Sequence, residues 1–453
     1  MSTANNYYIT TPIYYVNDKP HLGHAYTSVA CDVIARYMRL DGMNVKFLTG
    51  TDEHGQKVEK SAKAAGMPPK EFVDEVSEHF RHMATILHLT NDDFIRTTEP
   101  RHYAAAQAVW KRLEAAGDIY LGGYAGWYSV RDEAFYTESE LVDGKAPTGA
   151  DVEWVEEPSY FFKLSKYQQP LLDFYEKNLD FILPESRRNE VLSFVKGGLK
   201  DLSISRTTFK WGIPVPGDEK HIMYVWLDAL MNYMTATGYP DENAEQYKTF
   251  WPASLHMVGK DILRFHAVYW PAFLMSAKLP LPERVFAHGW WTIEGEKMSK
   301  SLGNVVSPDH LVERYGLDQT RYFLLREVPF GSDGNFSAAQ MFDRINGELA
   351  NNIGNLAQRT LSMIAKNCDS KVPMRDDSKL KPEDAALMEL VRVTDKETPK
   401  RAREAMQRCK FNDVLGAILE MSTKANQYID ESAPWTLKKE DPARMHAVLY
   451  HLA

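Results

Sequence analysis

Tyr7-Tyr8-Ile9-Thr10-Thr11-Pro12-Ile13-Tyr14-Tyr15, followed by Asn17-Asp18-Lys19-Pro20 and His21-Leu22-Gly23-His24, is the stretch on which the fold turns. Its opening run is dense in β-branched and aromatic residues, which suits a buried strand. Asn17–Pro20 breaks it. From Ala25 to Leu40, Val29, Val33, Ile34, Tyr37 and Met38 recur at helical spacing, and Val45–Leu48 reads as a second strand. Strand, turn, helix and strand make a βαβ unit with both histidines at the helix N-terminus. Free N–H groups and a partial positive charge at that end favour phosphate. Two imidazoles would add donors for charge growing on a phosphoryl group under attack. Gly23 has no Cβ, so a flat purine could approach the backbone. Two histidines at an ordinary helix start fit the same residues.

Far downstream, Ala287-His288-Gly289-Trp290-Trp291 leads through Glu294-Gly295-Glu296 into Lys297-Met298-Ser299-Lys300-Ser301, with Gly303-Asn304 behind. Glycines flank lysines and serines, as a mobile loop closing over polyphosphate requires. A solvated basic loop is the alternative, and it leaves the upstream His-Gly pair unexplained. Taken together the two motifs describe a device that activates ATP at its α-phosphate. Further blocks follow in order: Gly50-Thr51-Asp52-Glu53-His54-Gly55, Asp201-Leu202-Ser203-Ile204-Ser205-Arg206, Val225-Trp226-Leu227-Asp228-Ala229, Gly259-Lys260-Asp261-Ile262 and Phe265-His266. With these blocks the chain resembles the class I aminoacyl-tRNA synthetases, and among them the methionyl-tRNA synthetases, from about residue 7 to its end.

Composition agrees and is far less specific. The 453 residues suffice for two to four domains, and the apolar and charged fractions are those of a globular protein. Apolar runs are too short and interrupted to span a bilayer, and Met1–Asn6 is too polar for a signal peptide. Cys31, Cys368 and Cys409 stand far apart, which implies no disulfide framework and makes the cytoplasm the expected compartment. A net charge of −9 argues against indiscriminate nucleic-acid binding while leaving room for a local tRNA-binding patch.

The resemblance implies an α/β fold: a Rossmann-type parallel sheet split by a connective insertion domain, then a C-terminal α-helical anticodon-binding bundle. The expected segments are 5–116 for the first half of the Rossmann domain, 117–213 for the insertion and 214–290 for the second half. Residues 291–346 would form the KMSKS loop and stem-contact region, and 347–453 the bundle, which looks cut short beside the family. Clustered glycines, aromatics and acidic residues make Ile119–Lys210 look irregular. In the bundle Leu349, Ile353, Leu356, Leu361 and Ile364 carry the helical period. Many family members hold a zinc knuckle in the insertion. Here Trp127-Tyr128-Ser129-Val130-Arg131-Asp132-Glu133 occupies that region, and Ile119–Lys210 contains no cysteine. Tetrahedral zinc needs closely paired thiolates or imidazoles. No zinc and no other metal site is therefore expected, and Trp127, Tyr128, Phe135 and Tyr136 would hold the insertion by packing.

By resemblance, His21 and His24 would meet the α-phosphoryl oxygens of Mg·ATP, with Lys297 and Lys300 at the β- and γ-phosphates. Gly23, Ser299 and Asp261 complete the ATP site. Asp261 would accept from the ribose, although an N-cap role suits it equally. The methionine pocket would draw on Ile13, Tyr15, Trp226, Ala229, Leu230, Tyr233, Ile262, Phe265, His266 and Trp270. Residue types alone make such an aromatic set core. Asp52, beyond a strand end where α/β folds bind ligands, would take the α-ammonium. In the bundle Asn355, Arg359 and Trp435 would recognise the CAU anticodon by base-edge contacts and stacking. The implied enzyme is a monomer that activates L-methionine and charges tRNA(Met), with no membrane partner. Another HxGH nucleotidyltransferase, a silent tRNA-binding paralogue, and a leucine, isoleucine or cysteine synthetase are the competing readings.

Overall fold

The opening run is two strands rather than one. In the computed structural model, which describes residues 5–132, 134–298 and 303–453, β1 (Asn6–Thr10) and β2 (Tyr14–Tyr15) are separated at Thr11-Pro12-Ile13. Pro12 has no N–H to give to a ladder, so pairing stops and resumes beyond it. Helix α1 (Leu22–Leu40) then returns the chain to β3 (Asn44–Asp52). β3 runs parallel to β1 from Asn6↔Asn44 to Thr10↔Leu48 and to β2 at Tyr14↔Thr51. This is a βαβ unit whose second strand continues past Leu48 and carries Asp52 at its end. β3 also pairs with β4 (Asp93–Arg96). Their approach requires glycine at 50, where a Cβ would lie 2.0 Å from the Ile95 carbonyl oxygen.

On the other side of β1 the sheet continues in parallel through Leu255–Gly259, Val285–His288 and Ile182–Leu183, giving seven strands among the described residues. Helices cover such a sheet, so its strands are buried on both faces. Trp110 and Trp270, on helices Pro100–Ala115 and Trp270–Ala277, are wholly inside its core. The pair Ile182–Leu183 lies within 117–213, so that span includes an edge strand of the parallel sheet. A two-residue strand is too short to leave a period in the sequence.

Much of the rest of that span is regular, where an irregular segment was expected. Ile119–Ser129 pairs antiparallel with Glu153–Phe162 from Ile119↔Phe162 to Tyr128↔Glu153, and Ala134–Tyr136 and Leu202–Ser203 flank the pair. Gly122, Gly123 and Gly126, which obscured the pattern, lie inside the long strand. Trp127 meets Trp154 edge-on at 5.3 Å, and Tyr128 packs on Phe135 at 4.7 Å. Tyr136 instead gives its hydroxyl proton to Asp132. The packing has an unforeseen centre in Arg206, buried with its guanidinium 4.5 Å from the Phe135 ring and 4.8 Å from Tyr224.

Contacts divide the chain into two units, residues up to Trp290 with Val305–Arg314, and Trp291–Asn304 with Tyr315–Ala453. Val305–Arg314 thus leaves the expected 291–346 segment for the first unit. A bond from the Leu22 N–H to the Val306 carbonyl (2.9 Å) and a His82–Asp309 pair (2.8 Å) attach it there.

The second unit has a small sheet, Trp291–Ile293 between Glu296–Lys297 and Gly334–Phe336. Helices follow, including a π-helical stretch Ile345–Gly354, then Asn355–Asn367, Pro382–Gln407, Phe411–Ser432, Pro434–Glu440 and Pro442–Leu452. Of the residues that carry the helical period, Ile364 is buried with Met445 and Leu449, and Leu361 is 61% exposed. Arg444 and Tyr428 both bond Asp384 inside this unit. Among the described residues no helix is long and apolar enough to cross a membrane.

Candidate active site

His21 is the N-cap of α1 and His24 sits one turn in. The Gly23 N–H donates to His21 Nδ1 (3.1 Å), and the His21 N–H donates to His24 Nδ1 (3.1 Å). This is a capping box built from imidazoles. Because both Nδ1 atoms accept, the neutral rings carry their protons on Nε2, which remains the donor of each. The rings lie 3.9 Å apart, and His24 is held edge-on between Tyr14 (4.9 Å) and Phe80 (5.3 Å). Burial lowers the pKa of both, strongly for His24, where His21 lowers it further. Two neutral N–H donors therefore stand at the positive end of a helix. Glycine at 23 also keeps clear of the cap, since a Cβ there would come within 3.0 Å of the His21 ring.

The aromatic set forms one cluster. Trp226, on Val225–Leu230, stacks on Phe265 at 3.8 Å and 9°. His266 Nδ1 donates to the Ile262 carbonyl (3.0 Å), so its Nε2 accepts from the Tyr233 hydroxyl (2.6 Å). The Trp270 N–H donates to His256 Nε2 (3.3 Å), and His256 Nδ1 then donates to Thr10 Oγ1 (2.8 Å). Burial pushes His266 down to about 4 and His256 well below its ordinary value, so the cluster is uncharged. Burial raises the Tyr233 phenol, and the Asp52 charge adds to that rise. Asp52 is 6% exposed. Ala229 and Leu230 are buried, while Ile13, Tyr15, Trp226 and Ile262 pack partly buried on the same core.

Ile262, Phe265, His266 and Trp270 do not share one regular helix, as their spacing suggested. A 3₁₀ turn (Lys260–Ile262) and a π-helical turn (Phe265–Tyr269) precede the α-helix from Trp270. Pro271 cannot donate to the Ala267 carbonyl, and its ring crowds that oxygen, so the turn widens. Tyr175 satisfies the released carbonyl at 2.6 Å.

Asp261 is exposed beyond the strand Leu255–Gly259 and accepts from Trp290 Nε1 (3.1 Å), while Lys260 lies 4.3 Å over the same indole. Its charge also reaches His21. Lys297 ends a short strand of the second unit, and Ser299 and Lys300 lie outside the described residues. In the second unit Asn355 is exposed, and the Arg359 guanidinium lies 5.3 Å from the Trp435 ring and pairs with Asp430. Trp435 is 47% exposed, just after Ala433 ends a helix at φ +44° and Pro434 starts the next. Among the described residues no three His, Cys, Asp or Glu side chains gather as a metal site.

Sequence reading passed over a buried cluster close in sequence to the aromatic set. Asp228 is 0% exposed and accepts from His54 Nδ1 (2.6 Å) and His102 Nε2 (2.7 Å). Burial opposes its charge, yet the two imidazoles hold its carboxyl down to about 2. Residues 54 and 228 occur in two of the sequence blocks, but nothing in their spacing joins them to His102.

The chain matches the family model described as tRNA synthetases class I (M) over residues 7–152 and 139–361. It is 60% identical over 450 residues to a methionine–tRNA ligase of Rickettsia bellii, covering 99% of this chain and 87% of the relative. It is 59% identical to that of Brucella suis over 459 residues, with the same coverage. A solved Mycobacterium tuberculosis methionyl-tRNA synthetase in complex with methionyl-adenylate superposes with a TM-score of 0.95 at 52% identity, covering 99% of this chain and 89% of that one. The apo form of the same synthetase gives 0.87 at 49%, with coverage of 99% and 86%. The chain belongs to the class I methionyl-tRNA synthetases.

Proposed function

We propose that the chain condenses L-methionine with Mg·ATP to methionyl-adenylate and then charges tRNA(Met). A methionine carboxylate oxygen attacks the α-phosphorus, the bond to the bridging oxygen breaks, and pyrophosphate leaves. A hydroxyl of the tRNA 3′-terminal adenosine next attacks the methionyl carbonyl carbon, and AMP leaves. His21 and His24 donate from Nε2 to the α-phosphoryl oxygens, where negative charge grows in the transition state. Preorganised donors aimed at that charge lower the barrier without reorganising. Asp52 holds the α-ammonium, and Ile13, Tyr15, Trp226, Ala229, Leu230, Tyr233, Ile262, Phe265, His266 and Trp270 surround the thioether. An uncharged aromatic lining suits polarizable sulfur. Gly23 and Asp261 serve the adenosine. Lys297, Ser299 and Lys300 are assigned to the polyphosphate by their motif alone, and Asn355, Arg359 and Trp435 read the anticodon.

The observation that carries this reading is the reciprocal histidine cap, which leaves two Nε2 donors at one helix end. Amino-acid-dependent ATP–pyrophosphate exchange tests it. Methionine should support exchange, and no other standard amino acid should do so at comparable kcat/KM. Equal exchange with leucine or isoleucine overturns the substrate.

In this reading the insertion needs no zinc and the enzyme works as a monomer. Elemental analysis should find far less than one zinc per chain, chelation should leave exchange unchanged, and light scattering should give a mass near 51.8 kDa. Stoichiometric zinc, or twice that mass, would refute the respective claim.

A further inference from the structure

The His54–Asp228–His102 cluster is used by no step above, yet it is tied to the methionine pocket at three points. His54 follows Asp52 by two residues, on the chain leaving β3. Asp228 follows Trp226 by two on one short helix, and Thr235, 3.3 Å from His102 Nδ1, follows Tyr233 by two. The Tyr103 hydroxyl lies 3.1 Å from His54 Nε2, and the His54 ring is edge-on to Trp211 at 5.7 Å. The Trp211 N–H in turn donates to the Glu53 carbonyl at 2.6 Å. One carboxylate thus joins three chain segments: those of His54 and of Asp228 itself each carry a proposed methionine contact, and that of His102 passes the link on to Thr235, two residues from Tyr233.

We infer that Asp228 is a positioning residue for methionine, which sets the separation of Asp52 from Trp226 and Tyr233 through His54 and His102. The inference rests on the methionine-pocket assignment above. Both oxygens of the carboxylate accept, so both imidazoles can donate at once. An asparagine would turn an N–H toward one donor and push that segment away. Displacement of the segments changes the fit of the amino acid and leaves the histidine cap on α1 alone.

Asp228→Asn should raise the methionine KM in pyrophosphate exchange about tenfold to a hundredfold, the cost of a small misplacement, with the ATP KM within about twofold. Isosteric rescue separates positioning from bulk stability. His54→Asn keeps a donor where Nδ1 was, and His102→Gln keeps one where Nε2 was, so both should stay near the wild-type methionine KM. His54→Leu and His102→Leu should not, and they replace Asp228→Asn as the test if that variant fails to fold. The inference is overturned if the methionine and ATP KM values rise together, or if the Asn, Gln and Leu variants lose activity only in step with melting temperature. Asp52→Asn distinguishes the two levels. If it raises the methionine KM while the Asp228 and leucine variants do not, the positioning role falls and the pocket stands. If it also has no effect, the pocket assignment falls and takes the inference with it.

Discussion

The aromatic cluster around Tyr233 and the Arg359–Trp435 pair use the same kinds of side chain to opposite ends. In the first unit Tyr233, His256, His266 and Trp270 are buried, the histidines among them are uncharged, and each polar atom named in the cluster has a fixed partner within the protein. In the second, an indole about half exposed lies beside a guanidinium whose partner, Asp430, is itself 63% exposed. A buried, prearranged lining selects a small molecule by shape. An exposed ring and a weakly held cation suit large, flat, anionic partners, because a surface ion pair costs little to exchange.

If that contrast holds, substitutions should separate chemistry from tRNA recognition. The largest effect belongs to the histidine cap. His24→Ala should slow adenylate formation by roughly 10²–10³, the cost of one preorganised donor. His21→Asn sharpens the point, since asparagine can still cap the helix and lacks the Nε2 donor. Its melting temperature should match wild type while single-turnover adenylate formation falls. Unaltered chemistry in that variant would reduce His21 to a cap.

Acidification should come next, and it should strike the first unit. His24, His256 and His266 are held neutral in the folded chain, whereas the unfolded chain takes up protons near pH 6.5. The unfolded state then binds more protons, so stability is full above about pH 6.5 and is lost as pH falls toward the folded values. His266 alone, held at about 4, should cost on the order of 3 kcal/mol across that window. All tryptophans except Trp291 and Trp435 lie in the first unit, so melts followed by tryptophan fluorescence report chiefly on it. A melting temperature that does not fall between pH 6.5 and 4 would contradict the neutral cluster.

The smallest effect is expected at the exposed ring. Trp435→Ala should cost tRNA charging about 1–3 kcal/mol, the worth of one base stack, and leave methionine-dependent exchange near wild type. Parallel loss of both, or no loss of charging, would make Trp435 a packing residue and erase the contrast.

The βαβ unit, both histidines at the helix start and the aromatic set were legible in the sequence because each rests on local spacing or on a motif. What escaped notice depends on partners distant in the chain. Asp228 reads as an ordinary first-turn carboxylate until His54 and His102 arrive from two other elements. Arg206 closes a sequence block that names no partner for it, and only the fold brings Tyr128, Phe135 and Tyr224 around it.

The π-helical turn at Phe265–Tyr269 also bears on how this segment tolerates length change. Such a turn is equivalent to an α-helix carrying one extra residue. Deleting a single residue between His266 and Trp270 would rotate Phe265 and His266 by about 100° relative to Trp270, while Pro271 would still withhold its hydrogen bond from the turn before it. Register, more than composition, is then the property of this segment that insertion or deletion would damage. Such a deletion would break the His266–Tyr233 bond with both partners still in the chain.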